Sequence, residues 1–425
     1  MASYAVIGAN YGDEGKGLIT DFLARRHSPD YIVRFNGGAQ AGHTVVAGNH
    51  AHVFKHLGAG TLVGIPTILS KHFICNPILF NTELVMLRVD GYVDVDVMVD
   101  GEALVTTPFD MMINQLVEDK RKAFRAEHGS CGVGINETVT RSSQSETTFK
   151  IRVLNLLDMK HVKLILQLIR EMYIPHRLAA LGFTKEESAN AMVEFRNPVY
   201  IDGFIIECER FLKEVKLFDC TKLPPNSSVV FEGAQGLALD ELDGVFPHVT
   251  RSRTGMTNVI SLAVSMGINY LTPIYVTRAY LTRHGAGPLK NELPYLPVSD
   301  STNVFNTYQG KLRFSYLDID ALVDRVKKDR EVKSSYPFLG QLIEPAIAVT
   351  CLDQVEDSLN VYYDQKLQTI WKHDLPAFLM QRLGFKQILA SEGPTADDVK
   401  VLQQTAEIPP QHAKPRPGFR PSIRG

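Results

Sequence analysis

The chain has 425 residues, of which 44% are hydrophobic and 22% are charged, an ordinary globular composition sufficient for one large α/β domain or two smaller ones. Its formal net charge of -2 provides no overall basic field, which argues against a nucleic-acid partner. The five cysteines are scattered and form no CxxC pair, which argues against a disulfide framework or a zinc site and favours a reducing compartment.

The start of the sequence, MASYAVIGANYGDEGKG, becomes polar after one short apolar run, whereas a signal peptide needs a longer apolar region after basic residues. No stretch approaches the roughly 20 apolar residues of a membrane helix. We therefore expect a cytoplasmic protein with no membrane partner.

Predicted strands in the N-terminal part of the chain are each followed by a Gly-rich turn. Residues 4–8 (YAVIG) indicate a short buried strand, after which such a turn leads into the helical pattern LITDFLA. Residues 31–35 (YIVRF) indicate a second strand, followed by the turn NGGAQAGH. The later predicted elements are a helix at 109–126, a long polar loop at 129–148, mostly helical structure at 150–215, strands at 228–233, 273–282 and 345–353, and a helix and a strand within 376–390.

This order of elements predicts the fold class. A strand, a Gly-rich loop and a helix form the opening unit of a parallel α/β fold, in which ligands bind at the C-terminal edge of the sheet. We expect one α/β catalytic domain at residues 1–407, with a mostly parallel central sheet, flanking helices and a P-loop-like nucleotide site at that edge. Residues 408–425 contain five prolines and four basic residues, so they are predicted to be a disordered tail.

The first Gly-rich turn, GDEGKG at residues 12–17, has the composition of a phosphate-binding loop. Backbone N–H groups of such a turn and of the following helix bind phosphate oxygens, and Lys16 adds a positive charge. The Ser or Thr that holds Mg²⁺ in a standard P-loop is replaced by Gly17, so Asp13 is the candidate carboxylate for the metal. The alternative interpretation is a tight turn in which Asp13 caps the helix.

Five segments, in order along the chain, together resemble the adenylosuccinate synthetase family. They are GANYGDEGKGLITDFLA near the N-terminus, NGGAQAGHTVV at 36–46, FEGAQGLALDELDGVFPHVT at 231–250, LTRHGAGPLKNE at 281–292 and ASEGP at 390–394. The resemblance implies a homodimeric ligase with a Mg²⁺ cofactor, acting on a purine nucleoside monophosphate, GTP or ATP, and L-aspartate. In the family reaction the 6-oxygen of IMP is phosphorylated and then displaced by the amine of aspartate.

The same resemblance implies four catalytic residues, which are Asp13, Lys16, His43 and Gln235. Asp13 is expected to remove the purine N1 proton, and an ionised carboxylate near Mg²⁺ and Lys16 suits that role. His43 is expected to donate to the oxygen as the phosphoryl group moves. Gln235 is expected beside the purine and the base, where an amide both donates and accepts. The alternatives are that His43 is a satisfied core or surface histidine and Gln235 an ordinary turn residue.

The remaining binding residues are also implied by the resemblance. The set expected to bind the triphosphate is Gly12, Glu14, Gly15, Lys16, Gly17, Gly42, Thr44, Asp353, Ser391, Gly393 and Pro394. The set expected to bind the purine monophosphate is Asp13, Gln40, Ala41, Ser130, Cys131, Arg141, Gln235 and Thr250, with Arg141 reaching the phosphate of the neighbouring subunit. Lys311 and Arg313 are expected to bind aspartate, and Asp13 with the carbonyl of Gly42 to bind the metal.

Departures from the family pattern leave the substrates open. The aspartate loop, TNVFNTYQGKLRFSYLD at 302–318, retains few cationic residues, and Gln40 replaces an Asn common beside the nucleotide. A lysine often found two residues before Asp353 is Cys351, which leaves ATP open beside GTP. One alternative is a relative that acts on GMP or dGMP to make N6-succino-2-amino-2'-deoxyadenylate, as in viral 2-aminoadenine synthesis. Another is a catalytically inactive nucleotide-binding regulator.

Overall fold

The structure, a computed structural model, describes residues 2–48, 50–123, 129–145, 147–298, 310–332 and 344–403. Its strands are β1 (Ser3–Gly8), β2 (Tyr31–Arg34), β3 (His43–Ala47), β4 (His50–Phe54), β5 (Thr67–Leu69), β6 (Ile74–Cys75), β7 (Val97–Asp100), β8 (Leu104–Val105), β9 (Lys216–Phe218), β10 (Val229–Gly236), β11 (Leu271–Arg278), β12 (Tyr280–Arg283), β13 (Glu292–Leu293), β14 (Arg313–Asp318), β15 (Ala346–Thr350), β16 (Ser358–Tyr363), β17 (Lys366–Trp371), β18 (Gln387–Ser391) and β19 (Val399–Gln403). Its α-helices are α1 (Lys16–His27), α2 (Pro77–Val89), α3 (Pro108–Ala123), α4 (Ile135–Gln144), α5 (Met159–Leu168), α6 (Ile174–Ala180), α7 (Lys185–Phe195), α8 (Val199–Glu214), α9 (Met256–Ser265), α10 (Ile319–Glu331) and α11 (Leu375–Leu383).

Ten strands form a central sheet in the order β19–β18–β15–β11–β1–β10–β2–β5–β7–β9. Each pairing is parallel except that of β18 with β19 at one edge. Alternate residues of β1 face opposite sides, so Ala5 and Ile7 pack in a cluster with α9, α10 and α11, whereas Val6 packs with α1. The predicted α/β class, with a mostly parallel sheet and flanking helices, is confirmed.

The strand predicted at 273–282 is two strands that belong to different sheets. β11 is buried along its whole length and pairs with β1, as expected for an interior strand of a parallel sheet. After Ala279 the chain continues as β12, which pairs antiparallel with β14 in a smaller sheet. The change of sheet carries the turn that follows Arg283 to the C-terminal edge of the central sheet.

The polar loop predicted at 129–148 contains a helix, so that prediction is wrong in part. α4 starts after Gly134, whose φ of 82° is in the left-handed region that favours glycine. Its sequence, INETVTRSSQ, is rich in Ser and Thr, which have modest helix propensity. Burial of Ile135, Thr138 and Arg141 against the protein stabilises a helix that local propensity does not indicate.

The predicted helical stretch at 150–215 is confirmed as a helical region that forms a second hydrophobic cluster beside the sheet. In the part of the chain that the structure describes, none of the helices combines the length and apolar character needed to span a bilayer. The tail predicted at 408–425 lies outside the described residues.

Candidate functional site

The loops that follow β1, β10 and β11 meet at one edge of the sheet, because these strands are parallel neighbours in the order β11–β1–β10. Residues 9–15 follow β1, Gln235 lies near the end of β10, and β11 leads through β12 to His284. The loop after β1 therefore lies between Gln235 on the β10 side and His284 on the β11 side.

The loop at residues 9–15 turns sharply into α1. Gly12, Asp13 and Gly15 have φ angles of 94°, 59° and 88°, a left-handed region that glycine favours and that Asp tolerates better than most residues. Gly15, not Asp13, is the N-cap residue of α1, and it forms no side-chain cap hydrogen bond. The alternative in which Asp13 caps the helix is therefore wrong, and the helix N-terminus retains backbone donors for an anion.

Glu14 points into the protein rather than towards a ligand. Its carboxylate is 2% exposed and accepts hydrogen bonds from the backbone N–H groups of Asn10 at 3.0 Å and Gly12 at 2.8 Å. A Cβ on either Gly8 or Gly236 would lie 2.5 Å from a carboxylate oxygen of Glu14. The side chain thus holds the loop in its conformation, so that only the backbone N–H of Glu14 stays a candidate for the expected contact with the triphosphate.

Lys16 and Gly17 start α1 at this loop. The ammonium of Lys16 is buried and lies 2.6 Å from the Glu14 carboxylate, yet its three donors leave capacity for a phosphate oxygen. A Cβ on Gly17 would lie 3.0 Å from the Cβ of His43 and 3.0 Å from the carbonyl oxygen of Thr44. A glycine at the position of the P-loop Ser or Thr is therefore what lets His43 pack against the first turn of α1.

Asp13 presents a partly exposed carboxylate at the centre of the edge. Its side chain is 25% exposed, and its Oδ2 lies 3.3 Å from Nε2 of His284. The Nε of Arg278 donates to the backbone carbonyl of Asp13 and holds the loop from the β11 side. An anchored carboxylate that solvent still reaches is suited to accept a proton from a bound molecule.

His43 is oriented by a carboxylate from the central sheet. Its Nδ1 lies 2.6 Å from Oε1 of Glu232 on β10, and both side chains are buried. Because an ionised carboxylate can only accept, Nδ1 carries the proton of this bond. Nε2 is also buried and has no hydrogen-bond partner among the described residues. An imidazole held through one nitrogen, with the other unpaired, is the arrangement of a catalytic histidine.

Glu232 lies beside Arg34, its Cα partner in the pairing of β10 with β2, and the positive charge of Arg34 acts on the carboxylate. Burial alone raises the pKa of the Glu232 carboxyl, but the charges of His43 and Arg34 and a hydrogen bond from the N–H of Ala59 outweigh burial and lower its pKa. Burial lowers the pKa of His43, and the charges of Arg34 and Lys16 lower it further. Together these effects outweigh Glu232, whose negative charge raises the pKa. The carboxylate of Glu232 thus faces the Nδ1–H of His43 inside the protein.

Glu232→Gln is expected to lower kcat about 10²-fold with little change in KM, because the amide keeps the size of the carboxylate but no longer fixes the proton of His43 on Nδ1. The measurement is steady-state kinetics with each substrate varied. The control is Glu83→Gln, which alters another buried carboxylate, one that accepts from the backbone N–H of His56. Equal losses of kcat in the two variants would show that neutralising any buried carboxylate lowers turnover, and would contradict a specific role of Glu232 at His43.

Two glutamine side chains, Gln40 and Gln235, lie close to Gly37. Within the described residues, Oε1 of Gln235 and both amide atoms of Gln40 are buried and form no hydrogen bond. A Cβ on Gly37 would lie 3.1 Å from Oε1 of Gln235 and 3.4 Å from Nε2 of Gln40. Buried polar atoms without partners are costly, so the two amides indicate that a polar ligand completes this part of the site.

The turns after β15 and β18 extend the same edge. Thr350, at the end of β15, donates its hydroxyl to the carbonyl of Glu14 at 2.8 Å, and Asp353 follows in a short exposed turn. The Ser391 hydroxyl donates to the carbonyl of Gly393 at 2.7 Å. Thr395, just after Pro394, pairs with Val46 of β3. The turns expected to bind the donor nucleotide therefore lie against the helix N-terminus and the hairpin that carries Thr44.

The loop at 129–132 packs against the turn that carries His284. A Cβ on Gly129 would lie 2.3 Å from the Cα of Gly285, and Ser130 accepts a hydrogen bond from Asn114 at 2.8 Å. Burial raises the pKa of the Cys131 thiol to about 11, so this side chain is a neutral, weak donor. Three further residues expected in the monophosphate and metal sites, Ala41, Gly42 and Thr250, lie in turns; Gly42 is exposed and Thr250 is half-buried.

Arg141 has an internal role, which contradicts the expectation that it reaches a neighbouring subunit. It is fully buried, and its guanidinium makes a bidentate ion pair with Asp110 at 2.8 Å on both arms. It also donates to the carbonyls of Val105 and Phe149. This network ties α4 to α3, so no donor of Arg141 faces the surface.

Arg313 is likewise occupied within the chain. Its guanidinium pairs with Glu292 and donates to the carbonyls of Gly285 at 3.0 Å and Gly287 at 2.9 Å. Lys311 is exposed, and residues 302–309 of the expected aspartate loop lie outside the described residues. The structure thus gives Arg313 the role of holding the turn after β12, in place of the aspartate contact expected for it.

Carboxylates that converge on a metal are not a feature of this site. The described residues contain no group of three or more His, Cys, Asp or Glu placed to hold an ion. Asp13, which is partly exposed, and the exposed Gly42 supply few protein ligands. Such a set fits Mg²⁺, which keeps several waters and binds mainly through substrate phosphates.

The sequence motifs did not indicate Glu232, Arg34 or His284 as candidate functional residues. A signal was present for two of them: Glu232 lies within the apolar run SVVFEG, and Arg34 within YIVRF. A charged residue inside a buried strand needs a buried partner. His284 lies in a segment that the resemblance includes, but its contact with Asp13 depends on the path of β12.

Comparisons with known proteins agree on one family. The family model described as adenylosuccinate synthetase matches residues 5–321. The adenylosuccinate synthetase of Borrelia turicatae is 28% identical over 413 residues, covering 88% of this chain and 91% of the relative. That of Acaryochloris marina is 32% identical over 307 residues, covering 69% of this chain and 63% of the relative.

Two solved structures share the fold. A fully ligated adenylosuccinate synthetase from Plasmodium falciparum has a TM-score of 0.69 at 19% identity, with 95% of this chain and 100% of that chain covered. The succinoaminodeoxyadenylate synthetase of cyanophage S-2L, bound to dGMP and to dATP as an energy donor, has a TM-score of 0.56 at 14% identity, with 94% and 95% covered.

Proposed function

The chain belongs to the adenylosuccinate synthetase family, whose members are ligases that form a C–N bond, and on that premise we propose its substrates and the roles of its residues. The acceptor is a purine nucleoside monophosphate, with IMP as the leading candidate, the donor is GTP or ATP, and the amine is that of L-aspartate. The observation that carries the proposal is that the loop of Asp13 leads directly into α1, whose first turn packs against His43.

In the first step, the Asp13 carboxylate accepts the proton from N1 of the purine. The 6-oxygen attacks the γ-phosphorus of the triphosphate, the bond to the β,γ-bridging oxygen breaks, and the nucleoside diphosphate leaves. The partial exposure of Asp13 lets a bound ring reach it, and the contact with His284 orients it. Gln235, whose Oε1 is buried and unpaired within the described residues, lies on the next loop and pairs with the purine edge.

His43 and Lys16 stabilise the phosphoryl group in transfer. The arrival of the anionic phosphates favours the imidazolium form of His43, since nearby negative charge stabilises the positively charged ring. Its Nε2–H then donates to the transferring oxygen, while Nδ1 keeps its proton and donates to Glu232. The unoccupied donors of Lys16 and the N–H groups at the start of α1 bind the triphosphate.

Asp13 and the carbonyl of Gly42 hold Mg²⁺, which neutralises charge on the phosphates when it is bound. The donor base lies on the turns of Asp353 and Ser391, where a carboxylate accepts from guanine N1 and N2. In the second step, the amine of aspartate attacks C6 and the phosphate leaves with the former 6-oxygen.

A matrix of turnover assays tests the proposal. IMP, GMP and dGMP are each combined with ATP and with GTP at fixed Mg²⁺ and aspartate, and products are identified by mass. We expect phosphate release that depends on aspartate, and the N6-succinyl product with IMP. Turnover with dGMP in place of IMP identifies the alternative acceptor, for which the fold shared with the cyanophage enzyme is the motivation.

Absence of turnover with any purine monophosphate would support a nucleotide-binding regulator. The retained set of Asp13, Lys16, His43 and Gln235 favours the ligase over that alternative, because each keeps the geometry that its chemistry requires. We also propose a homodimer in the cytoplasm, as family members are; sedimentation of the purified chain tests the dimer.

A further inference from the structure

Three side chains form a hydrogen-bonded network, here called the Tyr280 network, that ends at the loop of Asp13. The Tyr280 hydroxyl donates to Oε1 of Gln354 at 2.5 Å and accepts from Nη1 of Arg278 at 3.2 Å. The Nε of Arg278 donates in turn to the backbone carbonyl of Asp13. Arg278 and Tyr280 are buried, and Gln354 is half-buried. Hydrogen bonds that share a hydroxyl strengthen one another in such surroundings, so the three side chains form one connected unit.

The far end of the Tyr280 network is the turn of Asp353. Gln354 and Asp353 belong to the same short turn, Leu352–Gln354, which follows β15. The N–H of Gln354 donates to the carbonyl of Cys351 at 3.3 Å and closes that turn. A donor base held by Asp353, as under the proposed function, therefore steadies the backbone that presents Gln354 to Tyr280.

A second connection joins the same two segments. The Thr350 hydroxyl donates to the carbonyl of Glu14 at 2.8 Å, and a Cβ on Gly15 would lie 3.1 Å from Cγ2 of Thr350. Adjacent carbonyls, those of Asp13 and Glu14, thus both accept from side chains tied to residues 350–354. Asp13 has a φ of 59°, a conformation that a residue other than glycine keeps where its surroundings hold it. The two connections give that support from the side of the donor nucleotide.

We propose that Arg278 and Tyr280 are positioning residues, through which binding of the donor base at the turn of Asp353 aligns the Asp13 carboxylate with the acceptor purine. The inference rests on the proposed function and links its two nucleotide sites. Small displacements of Asp13 lower the rate, because proton transfer needs the base within hydrogen-bond reach of its proton. Donor and acceptor are then expected to favour each other's binding, since coupling between two sites is reciprocal.

The test compares turnover of the full-length wild type, Tyr280→Phe, Gln354→Leu and the double variant, with IMP and GTP or with the pair that turns over fastest in the substrate matrix. Tyr280→Phe keeps the ring and removes the hydroxyl, so kcat is expected to fall about tenfold with little change in the KM for the monophosphate. Gln354→Leu is expected to give a similar loss, and the double variant no more than Tyr280→Phe alone, because both changes break the same network. Gln354→Glu keeps an oxygen for the Tyr280 hydroxyl and is expected to retain most of kcat.

The matched control is Tyr275→Phe, which also removes one buried tyrosine hydroxyl. That hydroxyl belongs to β11 and donates to Asp329 of α10 at 3.0 Å. Tyr275→Phe is expected to lower the midpoint of denaturant unfolding about as much as Tyr280→Phe does, with kcat unchanged. The comparison separates a loss of stability from a loss of alignment.

Calorimetry measures the coupling without turnover. Binding of IMP, GMP and dGMP is titrated with and without a GTP analogue whose β,γ-bridging oxygen is replaced by an imido group, at fixed Mg²⁺. In wild type the analogue is expected to tighten binding of the acceptor by about tenfold, and Tyr280→Phe is expected to remove most of that effect.

A kcat of Tyr280→Phe equal to that of wild type or of Tyr275→Phe would overturn the proposal, as would fully additive losses in the double variant. Coupling that persists unchanged in Tyr280→Phe would also overturn it. A wild type that turns over none of the three monophosphates would instead sink the proposed function, and the calorimetric coupling would then decide the role of the Tyr280 network by itself.

Discussion

Asp13→Asn is expected to lower kcat about 10²-fold or more with both the triphosphate and the monophosphate still bound, because the amide keeps the size of the carboxylate but cannot accept the N1 proton. The contact with His284 and the hydrogen bond from Arg278 to the backbone leave the loop in place. Steady-state kinetics and calorimetric nucleotide binding measure the two effects separately.

The matched control is Asp219→Asn, an exposed carboxylate just after β9, the last strand of the sheet and remote in the sheet order from β1.

His43→Ala is expected to lower kcat by a similar factor, because His43 is proposed to donate to the transferring oxygen. Its control is His176→Ala, on the surface of α6. Near-normal turnover in Asp13→Asn or His43→Ala would refute the corresponding role.

Arg141→Met is expected to lower the free energy of unfolding by about 3–5 kcal/mol, because it leaves the buried carboxylate of Asp110 without its cation. Denaturant titration measures the change. The control is Arg88→Met, whose ion pair with Glu214 at 2.6 Å is 41% and 30% exposed and is expected to contribute less than about 1 kcal/mol.

Kinetics of the same Arg141 variant distinguish the internal role from the one that the sequence suggested. If stability is unchanged but the KM for the monophosphate rises, Arg141 acts on a nucleotide after all, and the buried network is not its function in solution. If stability falls and the KM is retained, the structural role stands.

The C-terminal edge of the sheet and the residues on its loops were predictable because their signals are local. A Gly-rich turn after a buried strand shows where the backbone must adopt left-handed conformations, and Gly12 and Gly15 do so. The same segments contain Asp13 and His43, so the resemblance identified both without knowledge of the fold. The alternation of strands and helices likewise indicated the parallel sheet.

Local sequence signals also led to two expectations about arginine side chains that the structure does not support. Arg141 and Arg313 look like anion ligands because a guanidinium in a polar loop suits phosphate or carboxylate. Whether it is free to bind depends on acids elsewhere in the chain, here Asp110 for the first and Glu292 for the second.

The sequence by itself determined the fold class, and it located the Gly-rich turn and the residues proposed as acid and base, because each signal lies within a few consecutive residues. Only the tertiary structure decided which groups orient them. His43 and Glu232 are 189 residues apart and meet through the packing of the segment after β2 against the end of β10. His284 contacts Asp13 because the chain leaves the central sheet after β11 and continues as β12 in the smaller sheet. Such contacts depend on strand order and register, which no single segment specifies.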